Sequence, residues 1–436
     1  MSTDRTGAAP KSVASRRTLC KMLPSLLVAC STTAGAQVEG NTKPNVRTGA
    51  AQLAADGCAT LAGRRVGLLT NHTGRVGTER LIDVLARAKG VTLAAILTPE
   101  HGLSGTAEAG AKVSDGIDAA TGVRVHSLYG SGYKPTREML AGLDVLVFDM
   151  QDIGTRFYTY ISTMGLAMQA AAAAGLPFLV LDRPNPLGGD YVSGFVLEKP
   201  FASFVGRFEI PIAHGLTAGE LAGMIKGERL LSGLDGLALE VAAMQGWRRQ
   251  MRWPATGLTW IATSPNIPSF ETALAYAGTG LFEATVASEG RGTPEPFLLL
   301  GHPAIEGAAV ADRVNRSALP GVRIEPRRFR PRALPGVATN PRFRDRDIPG
   351  VRLVITDADA FAPVETGVHL LAAFAEALRA KGEAPLVNDT KPFNRLAGTG
   401  RLAAAIDRGA MADGIVESWS AEVARFRARR ARYLLY

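Results

Sequence analysis

The chain has 436 residues, of which 46% are hydrophobic and 20% are charged, and it carries a formal net charge of +9. This composition describes an ordinary globular chain and is unlike that of a disordered or fibrous protein. No internal stretch is long and apolar enough to span a bilayer, which excludes a multi-span membrane protein.

The excess of positive charge does not indicate nucleic-acid binding. Five basic residues lie within the first 21 positions, and much of the remaining excess lies at 327–332 and 425–432. Neither of these two runs has the interleaved aromatic residues of a nucleic-acid platform. Such runs are usually solvated faces or loops, so we predict no nucleic-acid partner.

The N terminus has the three parts of an export signal. Paired arginines lie within residues 15–21, an apolar run follows at 22–29, and small residues suitable for cleavage lie at 34–36. The arginine pair resembles a twin-arginine signal. Residues 27–30 also resemble a lipobox, in which Cys30 would carry a lipid anchor. We therefore predict that residues 1–36 direct export, to the periplasm or to a lipid-anchored position facing it.

Cysteine usage agrees with loss of this segment. Of the three cysteines, only Cys58 lies beyond Cys20 and Cys30 in the folded part of the chain. An internal disulfide and a cysteine-based metal site are therefore both excluded there.

Five short apolar runs in the first half of the chain each end at a cluster of polar residues. Runs of this kind, rich in Val, Leu and Ile, are typical of strands buried on both faces of a parallel sheet. The runs occupy residues 65–69, 93–97, 123–125, 144–148 and 178–181.

Helix-like stretches separate these runs, at residues 78–88, 136–140 and 162–174. The alternation predicts βαβ units, and hence an α/β fold with a parallel sheet and right-handed crossovers. Ligands of such sheets bind beyond the carboxyl ends of the strands. We therefore treat the polar clusters as one constellation at that edge, with Glu100 of the segment 99–102 at its centre.

About 400 residues remain after the signal, which suits two domains better than one. The alternating pattern breaks near residue 250, so we predict domains at 45–250 and 251–436. In the second domain, Pro-Gly-Val occurs three times within residues 319–351, which predicts loops and short strands. An amphipathic helix is predicted at 415–430.

Several chemistries lack their motifs. The chain has no Gly-x-Gly-x-x-Gly after the first strand, no Walker motif and no Gly-x-Ser-x-Gly elbow. Its histidines near aspartates do not show the spacing of a strong metal site. We therefore predict no metal and no cofactor.

Carboxylate chemistry remains, and glycoside hydrolysis fits it best. That reaction needs an acid with a raised pKa, usually a second carboxylate, and polar and aromatic groups that hold the sugar. The polar clusters supply these residue types at Asn71, Glu100, Gln151, Asp152, Arg156, Tyr158, Tyr160, Asp182, Arg183 and Asn185.

Structural roles compete with these assignments. Glu100 could cap a helix or pair with an arginine. A lone histidine such as His101 or His214 more often orients a neighbour than catalyses. Asp182 and Arg183 could form an ion pair that stiffens their loop.

Longer strings of the sequence resemble the NamZ-type exo-β-N-acetylmuramidases. The resemblance is carried by residues 68–74, 99–102, 148–160, 181–186, 210–217, 264–268, 288–293 and 433–436. It covers nearly the whole mature chain. Small departures occur at His72, where Gln is common, and at Ala213, where Arg often precedes the histidine.

The resemblance implies an enzyme that removes terminal N-acetylmuramic acid from the non-reducing ends of peptidoglycan fragments. It also implies a Rossmann-like domain joined to a smaller α+β C-terminal domain, with the site in the cleft between them. Glu100 matches the general acid/base. Glu289, Asp152 and Asp182 are the candidates for the second catalytic group, and we place Glu289 first.

The lactyl carboxylate of N-acetylmuramic acid suits recognition by a bidentate arginine, for which Arg183 and Arg291 are candidates. We expect the remaining polar residues to hold the sugar: Asn71, His101, Gln151, Asp152, Tyr158, Tyr160, Asp182, Asn185, His214 and Asn266.

Two other functions stay open from sequence. A non-catalytic periplasmic binder of muropeptides could use the same cleft, and a metal-dependent amidase could cut the peptide stem. Sequence does not reveal the anomeric outcome, the preferred substrate length, lipidation of Cys30 or the oligomeric state.

Overall fold

The computed structural model describes residues 46–108, 110–129 and 132–436. The predicted export signal, with Cys20 and Cys30, lies outside these residues. Within them, no helix is long and apolar enough to cross a membrane.

The strands of the described residues fall into a large sheet, a small sheet and a hairpin. They are β1 Arg65–Thr70, β2 Arg75–Val76, β3 Glu79–Arg80, β4 Thr92–Thr98, β5 Gly116–Ile117, β6 Arg124–Ser127, β7 Val145–Asp149, β8 Phe178–Leu181, β9 Leu239–Ala242, β10 Leu299–Gly301, β11 Val322–Phe329 and β12 Ile348–Ile355. All five predicted strands are confirmed, as β1, β4, β6, β7 and β8.

The helices follow the strands in alternation and then dominate the C-terminal part. They are α1 Gly49–Ala55, α2 Leu81–Arg87, α3 Arg137–Leu140, α4 Tyr160–Ala173, α5 Ala218–Gly227, α6 Phe270–Thr279, α7 Gly307–Asn315, α8 Pro363–Ala380, α9 Thr390–Ala397, α10 Arg401–Asp407, α11 Ala412–Glu417 and α12 Ser420–Arg430. The helices predicted in the first half are present as α2, α3 and α4.

The large sheet has the strand order β5-β6-β4-β1-β7-β8-β9. Every neighbouring pair is parallel except β5 with β6. The chain builds outward from β1 through β4 to β6 and then returns to the other side of β1 with β7. This is the doubly wound order, with the reversal point between β1 and β7, and it confirms the predicted Rossmann-like fold.

Helices cover both faces of this sheet. Successive side chains of a strand point to opposite faces, so each strand contributes to two cores. Leu69 of β1 belongs to the large core that includes α4, α5, α6 and α8. Its neighbour Leu68 belongs to a second core with α1 and α2. Burial on both faces explains why the parallel strands read as continuous apolar runs.

A smaller antiparallel sheet, in the order β10-β12-β11, lies in the C-terminal part of the chain. The segment predicted to hold loops and short strands contains the eight-residue strand β11 and the first half of β12, which also has eight residues. Pro349 and Gly350 lie within β12 rather than at a turn. A side chain at Gly350 would collide with the backbone of β10, since an added Cβ would lie 2.2 Å from the carbonyl oxygen of Leu300.

The predicted C-terminal helix at 415–430 is also different in the structure. It is divided into α11 and α12 by a turn at Ser418 and Trp419. Trp419 is buried, 3% exposed, and its ring packs edge-on against Phe195 at 5.1 Å. The helix is interrupted at the position where this indole is buried in the core.

Helices α6 and α8 cross at two glycines. A Cβ added to Gly278 would lie 1.9 Å from the carbonyl oxygen of Pro363 and 3.1 Å from Cα of Gly367. The two backbones are therefore in direct contact. All the elements described here fall within one compact unit, and the domain boundary near residue 250 stays a prediction.

Candidate active site

Glu100 lies in a tight turn just after β4. The backbone N–H of Gly102 donates to the carbonyl of Pro99 at 3.2 Å. His101 has a φ of 71°, in the left-handed region that residues other than glycine seldom adopt. Strained backbone of this kind is often found at functional sites, where the surrounding structure maintains it.

Three donors hold the Glu100 carboxylate. The backbone N–H of Gly110 donates to Oε1 at 3.0 Å, and the Thr159 hydroxyl donates to Oε2 at 3.0 Å. The Tyr129 hydroxyl is a third partner, and burial together with the charge of Glu100 raises the pKa of that phenol. The carboxylate is thus fixed in orientation from both sides.

Glu100 forms part of the wall of a cavity of about 120 Å³. The cavity lies where the loops after β4 and β7 meet the segments around α6. Six predicted site residues line it, namely Glu100, His101, Tyr158, Tyr160, Asn266 and Arg291. The residues that sequence reasoning did not select are Phe157, Thr159, Val205, Ser264, Ile267, Tyr276, Glu283, Phe297 and Leu396.

The two predicted tyrosines are fixed by their hydroxyl groups. Tyr158 donates to Oγ1 of Thr263 at 2.9 Å, and Tyr160 donates to the carbonyl of Thr263 at 2.6 Å. Asn71 donates to the Tyr160 hydroxyl at 2.9 Å and is itself 2% exposed. Asn71 therefore positions Tyr160 rather than lining the cavity.

Asn266 lines the cavity and has a buried acceptor without a partner in the described part of the chain. Its Nδ2 donates to the carbonyl of Val337 at 2.8 Å, which fixes the orientation of the amide. Its Oδ1 is buried and has no hydrogen-bond partner among the described residues. An amide oxygen left in this state is suited to accept a bond from a hydroxyl or N–H group of a ligand.

Arg291 lies between two carboxylates. Its Nη2 donates to Oε1 of Glu283 at 2.9 Å, and its Nε is 3.4 Å from Oε1 of Glu289. Burial raises the pKa of Glu283, against the opposing effect of Arg291. Glu289, the second catalytic candidate from sequence, is 8% exposed and is not among the described residues that line the cavity.

His101 is a neutral side chain at neutral pH. Burial lowers its pKa, although the neighbouring charge of Glu100 acts in the opposite direction. Its Nδ1 is 2.7 Å from the carbonyl oxygen of Ala107. This contact ties the turn of Glu100 to the segment that leads to Gly110.

Gln151 and Arg183 line a different and larger cavity of about 640 Å³, near the reversal point of the sheet. Arg183 makes two bonds to the buried carboxylate of Asp149, at 2.6 and 2.9 Å. Its guanidinium is therefore already paired. Gln151 donates to the carbonyls of Asp152 and Pro184.

The remaining predicted residues do not line the cavity at Glu100. Asp182 is fully buried and accepts from Thr217, Gly219 and Tyr436 at 2.7 to 2.8 Å. Asn185 joins the backbone of Leu187 and Leu216. These two side chains hold loops together.

His214 and Asp152 are also buried, and neither lines that cavity. Burial lowers the pKa of His214 to about 3, so the imidazole is neutral. Burial raises the pKa of Asp152 to about 7. Its Oδ2 accepts from the N–H of Gly154 at 2.6 Å, while its Oδ1 has no partner among the described residues.

Glu283 is the carboxylate that sequence reasoning missed. It lies in a short 3₁₀ helix, Gly280–Ala284, directly after α6. Its sequence neighbours Leu281 and Phe282 are fully buried, and the segment therefore reads as core. The available signal was a single carboxylate within that apolar run, eight positions before Arg291.

No three side chains of His, Cys, Asp or Glu come together as a set of metal ligands within residues 46–108, 110–129 and 132–436. The cavity at Glu100 therefore presents carboxylates, hydroxyls, an amide and one guanidinium. A site that combines carboxylates, aromatic side chains and fixed hydrogen-bonding groups is typical of a glycosidase.

Comparisons with known proteins point in the same direction. Residues 66–271 match the family model of the exo-β-N-acetylmuramidase NamZ N-terminal domain. Residues 274–436 match the model of the NamZ C-terminal domain. A peptidoglycan β-N-acetylmuramidase NamZ from Bacillus subtilis (strain 168) is 39% identical over 427 residues, which cover 97% of this chain and 100% of that protein.

Solved structures with the same fold come from Bacteroides fragilis NCTC 9343. Both are crystal structures of DUF1343 family proteins. Each match covers 90% of this chain and 99% of the chain in the solved structure. One is 36% identical with a TM-score of 0.82. The other is 33% identical with a TM-score of 0.74.

Proposed function

This chain belongs to the NamZ family of exo-β-N-acetylmuramidases, and we propose that Glu100 is the general acid of its reaction. The enzyme is a glycosidase that releases terminal N-acetylmuramic acid from the non-reducing ends of peptidoglycan fragments. Protonated Glu100 donates its proton to the leaving oxygen as the bond from C1 to that oxygen breaks.

One observation carries the assignment of Glu100. Its carboxylate lines a cavity of about 120 Å³ together with tyrosines, an amide and a guanidinium. Gly110 and Thr159 hold its two oxygens in place. A proton donor with a fixed orientation beside polar groups that can bind the sugar is what general acid catalysis of glycoside cleavage needs.

Recognition of the lactyl carboxylate is assigned to Arg291. It is the arginine among the described residues that line this cavity. A guanidinium has five N–H donors, so its bond to Glu283 leaves others for a ligand. Arg183, the other candidate from sequence, lines the larger cavity instead and is paired with Asp149 there.

A hydrolysis assay with a chromogenic β-N-acetylmuramide tests the assignment. We expect turnover in the presence of a chelator and a loss of at least ~100-fold in kcat for Glu100→Gln. Glu417→Gln changes an exposed glutamate of α11 and is the matched control. Unchanged activity of Glu100→Gln, or dependence on added metal, would contradict the proposal. The first result would favour another acid, and the second would favour a metal-dependent hydrolase.

Export is a separate proposal, supported by the sequence of residues 1–36. A periplasmic location would bring the enzyme to its cell-wall substrate, with a lipid anchor at Cys30 as its membrane contact. Replacement of Arg16 and Arg17 by lysine should retain the protein in the cytoplasm. Cys30→Ser should release it from the membrane fraction if the lipobox is used. Normal export of the double-lysine variant would exclude the twin-arginine route.

A further inference from the structure

Two carboxylates line the cavity among the described residues, and they come from distant parts of the chain. Glu100 follows β4, whereas Glu283 belongs to the 3₁₀ helix that continues α6. Glycoside hydrolysis usually needs a second carboxylate besides the general acid. Glu289, which the sequence favoured for this role, does not line the cavity.

Glu283 is held in one orientation by an ionic chain. Its Oε1 accepts from Nη2 of Arg291 at 2.9 Å, and Nε of Arg291 is 3.4 Å from Glu289. The Glu283 side chain remains 26% exposed, whereas that of Glu289 is 11% exposed. Glu283 is thus the more accessible of the two carboxylates, and Glu289 forms an ion pair with Arg291 without lining the cavity.

Aromatic side chains line the same cavity as Glu283. Tyr276 packs edge-on against Phe297 at 4.7 Å and against Phe157 at 5.3 Å. Gly280 allows this close packing, since an added Cβ would lie 2.7 Å from the Phe157 ring. Apolar surroundings of this kind disfavour the charged form of a carboxylate and strengthen it as a base.

We propose that Glu283 is the second catalytic carboxylate of this enzyme and that Arg291 and Glu289 position it. The inference rests on the proposed role of Glu100. Ionised Glu283 accepts a proton from a water molecule, and the oxygen of that water forms the new bond to C1. At the same time Glu100 donates its proton to the departing oxygen, which takes the electron pair of the broken bond. The step leaves Glu283 protonated and Glu100 ionised, and exchange with solvent restores both.

Arg291 and burial act on Glu283 in opposite directions. Burial, together with the charges of Glu289 and Glu100, raises the pKa of Glu283, whereas Arg291 lowers it. The arginine therefore offsets part of the effect of burial and favours the ionised form of the carboxylate. The negative charge of Glu289 raises the basicity of Glu283. Glu289 also pairs with the guanidinium of Arg291, which contacts Glu283.

The test compares Glu100→Gln with Glu283→Gln on two aryl β-N-acetylmuramides that differ in leaving group. A dinitrophenolate leaves without a proton, so Glu100→Gln should recover at least ~10-fold relative to its activity on a nitrophenyl substrate. Glu283→Gln should lose at least ~100-fold in kcat on both substrates, because the attack at C1 still lacks its base.

Anion rescue gives an independent measurement. Azide needs no base to attack C1, so it should raise the activity of Glu283→Ala at least ~10-fold and leave the wild-type rate unaltered.

The Glu289→Gln variant tests the positioning role of Glu289. Loss of its negative charge lowers the pKa of Glu283, so the acidic limb of the kcat/KM profile should move to lower pH.

The variant Glu283→Asp is the control for a folding defect. It keeps the charge and shortens the side chain by one methylene. It should lower kcat with an unchanged melting temperature. The proposal is overturned if Glu283→Gln or Glu283→Asp keeps the wild-type kcat, or if Glu283→Gln recovers with the better leaving group as Glu100→Gln does. A wild-type enzyme without activity on any N-acetylmuramide would instead contradict the proposed function.

Discussion

Thr159 directs its hydroxyl to Oε2 of Glu100, at 3.0 Å, although it occupies the N-cap position of α4. A threonine at that position usually accepts from the backbone of its own helix. Thr159 makes no such capping bond. The hydroxyl thus orients the carboxylate of Glu100 instead of stabilising the helix.

Thr159→Val should therefore lower kcat by about 10-fold while changing the free energy of unfolding by less than about 1 kcal/mol. Valine has nearly the same shape and lacks the donor. Steady-state kinetics and urea unfolding measure the two effects. Thr159→Ser keeps the hydroxyl and should retain most of the activity. A loss of stability without a loss of kcat would indicate a capping role.

Asn266→Ala should raise KM for an N-acetylmuramide by about 10-fold, because the buried Oδ1 would no longer accept from the sugar. Asn266→Asp keeps an oxygen but adds negative charge beside Glu100 and Glu283. It should impair an anionic N-acetylmuramide more than the neutral N-acetylglucosaminide analogue. Equal KM values for wild type and Asn266→Ala would show that the amide does not contact the substrate.

Asp152 should make the stability of the fold depend on pH. Burial raises its pKa from 3.8 to about 7, so the folded chain holds a proton that the unfolded chain releases. The contribution of Asp152 to the free energy of unfolding is greatest below pH 4 and is lost as the pH rises to about 7. The total change is about 4 kcal/mol by linkage.

Asp152→Asn should abolish this part of the pH dependence. Urea unfolding at pH 5 and pH 8 would measure it, and the difference between wild type and variant isolates Asp152. Asp182, with a pKa raised by burial to about 6, contributes with the same sign in both proteins. Parallel stability profiles for wild type and variant would contradict the prediction.

Arg156 joins three segments by hydrogen bonds to backbone carbonyls. Its guanidinium donates to Phe195, Ile210 and Leu396 at 2.6 to 2.9 Å, and the side chain is fully buried. Burial lowers its pKa to about 9. Arg156→Lys should cost about 2–4 kcal/mol of unfolding free energy, since one ammonium cannot span all three carbonyls. Thermal or urea unfolding measures the loss, and an unchanged stability would contradict it.

The sequence predicted the parallel sheet well because its strands are buried on both faces. A continuous apolar run such as that of β7 carries the same information in sequence and structure. The edge strand β9 was missed since none of its residues is buried. Pro349 and Gly350 misled the prediction because close approach of β10, and not a turn, requires the glycine.

The sequence predicted the types of residue in the site better than it predicted the role of each side chain. Asn71, Asp182 and Asn185 look like ligands of a sugar in sequence, yet their polar atoms bond to other groups of the protein: the Tyr160 hydroxyl, the Thr217 hydroxyl and the Leu216 carbonyl. Side-chain partners of this kind depend on tertiary contacts that spacing does not encode. Glu283 was missed for the converse reason, since an apolar sequence context concealed a carboxylate that reaches the cavity.

The contact between Gly278 and Gly367 has a consequence for how variants of this enzyme would behave. Helix α6 leads directly into the 3₁₀ helix of Glu283, and its distance from α8 is set by two backbones in contact. A single methyl group at either glycine would separate the helices and displace Glu283 with them. In a random mutagenesis screen, alanine at either position would therefore resemble a catalytic defect in a folded protein, although neither glycine lines the cavity.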